Sequence, residues 1–323
     1  MPHYSPADKS ALETGFTLIE MSIVIVIIGL IVGGILVGQD LIKAAAVRAQ
    51  IAQIEKYNTA AHTFQGKYGY LPGDAPDPNA SNFGFIARGS FAGEGDGNGV
   101  LEGNAHVGWG ANCDGCNNGL VIGIGETATF WVDLSTAKLV DSGIAYLGAD
   151  YPNETVPTAA GSCFSGGTCA TLSSTPSLKQ FLPLAKLGTN NFVYVYSMNG
   201  TNYYAVSVVV DEGWTVESNV DPGITVQQAY VIDSKIDDGL PQSGNVTACY
   251  VNANVVAYQT VWAAGGANGT NQGASGGVNC VPTTGATPYS ITNCYDNGGG
   301  GTEKYSTSQN ANLPNCALSF KFQ

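Results

Sequence analysis

The chain has 323 residues, of which 44% are hydrophobic and only 11% charged, against roughly 25% charged in an average soluble domain. A formal net charge of -13 and a pI near 4.4 deny it the Lys/Arg excess that counterion-release binding needs, which excludes nucleic acid as its main partner. With 43 glycines and so little charge, its surface is expected to be rich in Gly, Ser, Thr and Asn.

The first element is the strongest. Phe16 to Val37 read FTLIEMSIVIVIIGLIVGGILV, with Glu20 as the single ionisable side chain, and about 22 such residues suffice for a tilted bilayer-spanning helix. A cleaved secretory signal is the poorer reading, because its apolar core runs roughly 7–15 residues. Lys9 stands against Asp8 and Glu13 before the span, whereas Lys43, Arg48 and Lys56 follow it, so the positive-inside rule does not favour an N-in orientation. Beyond the span Val47, Ile51, Ile54 and Ala61, with Tyr57 and Phe64 alongside, recur at three- and four-residue intervals and carry the helix to about Phe64, with Gly66 as its stop. One helix of about 50 residues, roughly 75 Å long, results. Gly29, Gly33, Gly34 and Gly38 interrupt its first half and suit either close helix packing or local unwinding.

A carboxylate at hydrocarbon depth costs about 2.5–3.5 kcal/mol on insertion scales, so Glu20 needs a partner. Thr17-Leu18-Ile19-Glu20 fits a capping box, which supplies a local one. Gly15-Phe16-Thr17-Leu18-Ile19-Glu20, followed by the unbroken apolar run, also resembles the class III signal of type IV prepilins and type II secretion pseudopilins. The resemblance implies cleavage after Gly15 by a prepilin peptidase and N-methylation of Phe16. It also implies a second partner for Glu20, the Phe16 amine of a neighbouring subunit. Further implied partners are copies of the chain, other pilin-like subunits, an inner-membrane assembly platform, and membrane lipid before assembly. The implied location is a single pass of the inner membrane, then a cell-surface or extracellular filament or a periplasmic pseudopilus. The leader, residues 1–15, departs from the family habit of several Lys or Arg.

After the helix, Tyr70-Leu71-Pro72-Gly73-Asp74 contains a turn signal and resembles the stretch that follows the long helix in many pseudopilin-like proteins. Next, Glu94, Asp96, Asn98, Val100 and Glu102 alternate around Gly99, the opening of an EF-hand-like calcium loop. The match is incomplete, since Ala105 stands where a bidentate Glu belongs. Calcium is the one metal this pattern suggests, and pseudopilin heads carry such sites.

Glu126 to Leu139 reads as an amphipathic helix on Phe130, Leu134 and Leu139, and Thr225 to Ile236 as another on Ala229, Ile232 and Ile236. Strands are expected at Phe192 to Ser197 and Asn202 to Val210, joined through Asn199-Gly200 as a hairpin, and at Val246 to Val251 and Ala317 to Phe322. Residues 263–312 are poor in large apolar groups and read as a stapled, exposed region.

All eight cysteines fall after residue 110, an even set that implies an oxidising compartment. The close pairs Cys113/Cys116 and Cys163/Cys169 suggest short-loop bridges, leaving Cys249, Cys280, Cys294 and Cys316 to pair among themselves, with connectivity open. Cys113-Asp-Gly-Cys116 lies among loop-forming residues, which argues against a thioredoxin-like role, and the Cys163/Cys169 spacing does not supply the second short ligand pair that zinc needs. Of His3, His62 and His106 none adjoins a nucleophile motif, and no Walker, dinucleotide or metalloprotease motif appears, so no enzyme is expected.

The expected fold is α+β, a long N-terminal helix packed on an antiparallel sheet with disulfide-bearing loops. Residues 1–15 are leader, 16–66 helix and 67–323 head. The expected function is a structural subunit of a type IV pilus or pilus-like filament, polymerising through its apolar helix. A type II secretion pseudopilin and a minor or tip subunit acting as adhesin are the alternatives.

Overall fold

In the computed structural model, residues 17–88, 95–101, 126–141, 144, 182–187, 191–198, 200–208, 224–250, 294–296, 302–312 and 316–322 are described below. The apolar run and its continuation form one helix, α1, Leu18–Tyr68. It ends where Gly69 takes φ +83 and its N–H closes on the Gln65 carbonyl at 2.8 Å, a left-handed stop that glycine adopts without a Cβ penalty. The helix therefore runs past Gly66, the stop expected from sequence. The chain divides into two units after Ala45. In the first, residues 17–37 are all exposed, and the helix is long and apolar enough to cross a membrane.

The second unit, from Ala46, holds the core. On α1 the buried positions are Val47, Gln50, Gln53, Ile54, Tyr57, Ala60, Ala61 and Phe64. The stripe expected on Ile51 thus passes instead through two glutamines, and Ile51 is only half-buried. Their amides explain this. Gln50 Oε1 accepts the Lys186 N–H at 2.7 Å, while Gln53 Nε2 donates to the Leu184 carbonyl at 2.8 Å and to the Tyr57 hydroxyl at 2.9 Å. Buried amides are tolerable when they bind backbone in this way.

Among the described residues, the head's further helices are α2 (Asn79–Asn82), α3 (Glu126–Thr136), α4 (Val226–Ile236) and α5 (Thr307–Asn310), and its strands are β1 (Asn191–Met198), β2 (Thr201–Val208), β3 (Val246–Tyr250), β4 (Tyr295–Asp296), β5 (Lys304–Tyr305) and β6 (Cys316–Lys321). An antiparallel sheet runs in the order β1-β2-β6-β3, and β4 pairs with β5. The fold is α+β. The expected hairpin forms, with Met198 opposite Thr201 and Gly200 at φ +73 in the turn. The β1 edge is covered by residues 183–185: Val193 N–H donates to Pro183 at 2.8 Å and Ala185 N–H to Asn191 at 2.9 Å.

Register places Val195, Tyr204, Phe320 and Val246 in one row across the sheet. Three of that row, Tyr204, Phe320 and Val246, line a cavity of about 100 Å³ with Ile51 and Ile54 of α1, which identifies the face that meets the helix. On the opposite face Tyr196 donates to Ser319 at 2.7 Å and stacks on Tyr203 at 5.2 Å. Both faces are buried, so β1 reads as a continuous buried run rather than an alternation. Helix α3 wedges beside them through Trp131 against Tyr57 at 4.8 Å and Phe130 against Tyr204 at 6.1 Å.

A disulfide joins Cys294 to Cys316, within the set left to pair among itself. Cys113, Cys116, Cys163, Cys169 and Cys280 lie outside the described residues, as does the Cys249 side chain. The expectation of an exposed C-terminal tract fails around this bridge: Cys294, Tyr295 and Tyr305 are buried, because the disulfide draws their strands against the sheet and α4.

Candidate functional site

Two places carry the residues singled out by sequence. The first is the start of α1. Thr17 N–H and Oγ1 both donate to Glu20 Oε2 at 2.8 Å, and Glu20 N–H donates to Thr17 Oγ1 at 3.3 Å, which completes the capping box. Within a single chain Glu20 thus takes its local partner. Gly15 and Phe16 lie outside the described residues.

The second is the Gly-rich loop after α2. Gly95, Gly97 and Gly99 all have positive φ, alternating with Asp96 and Asn98, which turns successive N–H groups inward as a nest. Gly95 also packs so closely that a Cβ would lie 2.6 Å from the Ala75 carbonyl. Two buried carboxylates receive these donors. Asp74, in the turn after Pro72-Gly73, accepts from Gly97 at 2.8 Å and Gly99 at 3.0 Å. Glu126, the first residue of α3, accepts from Gly95 at 2.9 Å and Asp96 at 3.3 Å through Oε1. Asn202 of β2 ties the loop to the hairpin, accepting from Leu101 N–H at 2.8 Å and donating to the Gly99 carbonyl at 2.9 Å.

One carboxylate oxygen each from Asp74, Asp96 and Glu126 lies within 4.8 Å of the others, and such a group can hold a cation. Burial first, and then the charge of Asp96, push the Asp74 carboxyl up to about 6, against the pull of the Gly99 and Gly97 N–H groups. Hard oxygen donors of this kind suit calcium.

Of the residues expected from the alternating pattern, Asp96 joins the cluster. Asn98 instead donates to Asp96 Oδ2 at 3.0 Å and accepts from Val100 N–H at 2.6 Å, which stiffens the loop. Glu94 and Glu102 lie outside the described residues. Asp74 and Glu126 were not among the expected ligands. Asp74 had a signal in its turn motif, whereas Glu126 had only its place in the first turn of a predicted helix.

Below the cluster lies a buried ion pair. Arg88 Nη2 meets Asp133 Oδ2 at 2.5 Å, the same oxygen accepts from Gly73 N–H at 2.7 Å, and Arg88 Nε donates to the Ala75 carbonyl at 3.3 Å. Burial pushes the Asp133 carboxyl above its ordinary range, and the Arg88 guanidinium beside it opposes that rise. The pair fixes Gly73 and Ala75, the two neighbours of Asp74. The chain matches no protein-family model, no curated protein and no solved structure.

Proposed function

We propose that this chain is a structural subunit of a type IV pilus or pilus-like filament. The observation that carries the reading is the bare apolar half of α1, exposed from Leu18 to Val37 and preceded by the prepilin-like signal at Gly15-Phe16. An uncovered apolar surface of that length is stable only against lipid or other apolar helices. Lipid hosts it before assembly, and copies of itself or other pilin-like subunits host it afterwards. A prepilin peptidase and an inner-membrane assembly platform are the further partners in this reading. The test is the mature amino terminus: Edman or mass analysis of the cellular protein should find a methylated Phe16. An intact Met1, or a start inside residues 30–45, rejects the assignment.

The carboxylate cluster favours a second reading within the same class, a type II secretion pseudopilin with a calcium-stabilised head. In metal-stripped full-length protein in detergent, calcium at about 100 times its Kd should add about 2.7 kcal/mol of stability by mass action and raise Tm. Asp96→Asn should remove that increment. Asp74→Asn should remove it too, at the cost of one of the two backbone hydrogen bonds that the oxygens of Asp74 accept. Its folded-state pKa is raised to about 6, so the native fold binds more protons than the unfolded chain between about pH 4 and 6. Stability from this group is accordingly lost as pH rises through that window. An unchanged Tm across millimolar calcium rejects the metal.

A further inference from the structure

A different acidic group closes the C-terminal part of the head. Asp233, fully buried in the last turn of α4, lies with Asp237 and Asp238 so that one carboxylate oxygen from each falls within 4.8 Å of the others. The two neighbours are committed to shaping the following loop. Asp237 Oδ2 accepts from Asn245 N–H and from Val246 N–H, the latter at 3.2 Å. Asp238 accepts from Leu240 N–H at 2.8 Å and Ser243 Oγ at 2.6 Å. Asp233 is used differently. Its Oδ1 accepts from Gly239 N–H at 3.1 Å, and its Oδ2 accepts the Tyr305 hydroxyl of β5 at 2.8 Å.

Tyr305 sits on the hairpin that the disulfide anchors. It is opposite Tyr295 of β4, Ser306 N–H donates to the Cys294 carbonyl at 3.0 Å, and Cys294 is bonded to Cys316 of β6. The Tyr230 ring of α4 meets the Tyr305 ring at 5.9 Å. Among the described residues, the charged or titratable groups on the packed elements are as follows. Helix α4 brings Tyr230 and Lys235, and the turn after it Asp237 and Asp238; the β4/β5 hairpin brings Tyr295, Asp296, Glu303, Lys304 and Tyr305; β3 brings Cys249 and Tyr250, and β6 Lys321; α5 brings none, and the side chains of Asp296, Cys249 and Tyr250 lie outside the described residues. Lys235, Lys304 and Lys321 are all exposed. Tyr305 is buried beside exposed Lys304 on the two-residue strand, so the lysine looks away from Asp233.

We propose that Asp233 is a proton-operated clasp, which when protonated strengthens the hold of the β4/β5 hairpin on α4 and when ionised weakens it. An ionised Asp233 is a buried anion beside two further carboxylates, with one hydroxyl and one N–H as its named donors. Protonation removes both the desolvation cost and the repulsion, while Oδ2 still accepts from Tyr305. Burial first, then the charges of Asp238 and Asp237, raise the carboxyl to about 7, against the Tyr305 and Gly239 hydrogen bonds. A carboxyl raised in the fold binds its proton more tightly there than in the open state. The contact is therefore fully reinforced below about pH 4, loses that reinforcement as pH rises to about 7, and is constant above.

The test is hydrogen exchange of the peptide spanning residues 302–312 in the full chain in detergent, corrected for intrinsic rates, from pH 5 to pH 8.5. Wild-type protection should fall about tenfold or more across that range and then level. Asp233→Asn should hold high protection throughout. A flat wild-type profile, or an Asp233→Asn profile that keeps the fall, overturns the clasp. Should Asp233→Asn fail to fold, Asp237→Asn/Asp238→Asn decides: its midpoint should move to lower pH, and an unmoved midpoint overturns the proposal.

Discussion

Replacing Glu20 by alanine is expected to abolish surface filaments while leaving the chain in the membrane. The apolar run suffices for insertion without Glu20, and removing a carboxylate from hydrocarbon relieves about 2.5–3.5 kcal/mol on insertion scales. In the proposed filament, an incoming helix buries its apolar surface against neighbours of nearly uniform greasiness, so dispersion alone does not set a register. A carboxylate paired with the Phe16 amine of the next subunit does. The isolated chain already satisfies Glu20 through Thr17, with N–H and hydroxyl both at 2.8 Å, so the two roles must be separated by experiment. Thr17→Ala is the control, because it removes the cap hydroxyl and its bond to Glu20, costing about 1 kcal/mol of local helix stability, while the carboxylate itself stays in place. The yield of sheared surface filaments from the two strains decides. Normal yield from Glu20→Ala refutes the intersubunit pairing, and loss from Thr17→Ala alone assigns the effect to the cap.

Arg88→Met should destabilise the head by about 3–5 kcal/mol, because it leaves Asp133 as a buried anion with no counter-charge. Asp133 is almost wholly inaccessible, and after the substitution Gly73 N–H is its remaining named donor. The double variant Arg88→Met/Asp133→Asn should recover much of that loss. Removing both charges eliminates the desolvation problem, and the asparagine carbonyl still accepts from Gly73. Urea midpoints of the detergent-solubilised full chain measure this. If Arg88→Met moved stability by under about 1 kcal/mol, the pair would be a surface-grade contact and this account of it would be wrong. The same variants bear on the carboxylate cluster, since Arg88 and Asp133 hold the residues on either side of Asp74. Calcium stabilisation should weaken in Arg88→Met even under conditions where the protein remains folded.

Local features were legible without coordinates. The span of α1, the Thr17–Glu20 box, the tight turn after Met198 and the amphipathic face of α4 each depend on residues a few positions apart, where periodicity and turn chemistry act directly. The α4 start is typical: Thr225 and Gln228 exchange side-chain and backbone bonds across three residues. What the tertiary structure alone decided lies at long range. Glu126 reaches Gly95 across 31 positions, and Asp133 reaches Arg88 across 45. An acidic residue near glycines reads as solvated until the fold brings a second carboxylate or a guanidinium to it. Gln50 and Gln53 were invisible as core for a related reason: an amide counts as polar until a distant backbone, here residues 184–186, bonds one end of it. The C-terminal tract shows the same limit, because Tyr295 and Tyr305 read as exposed until the Cys294–Cys316 bridge and the sheet bury them.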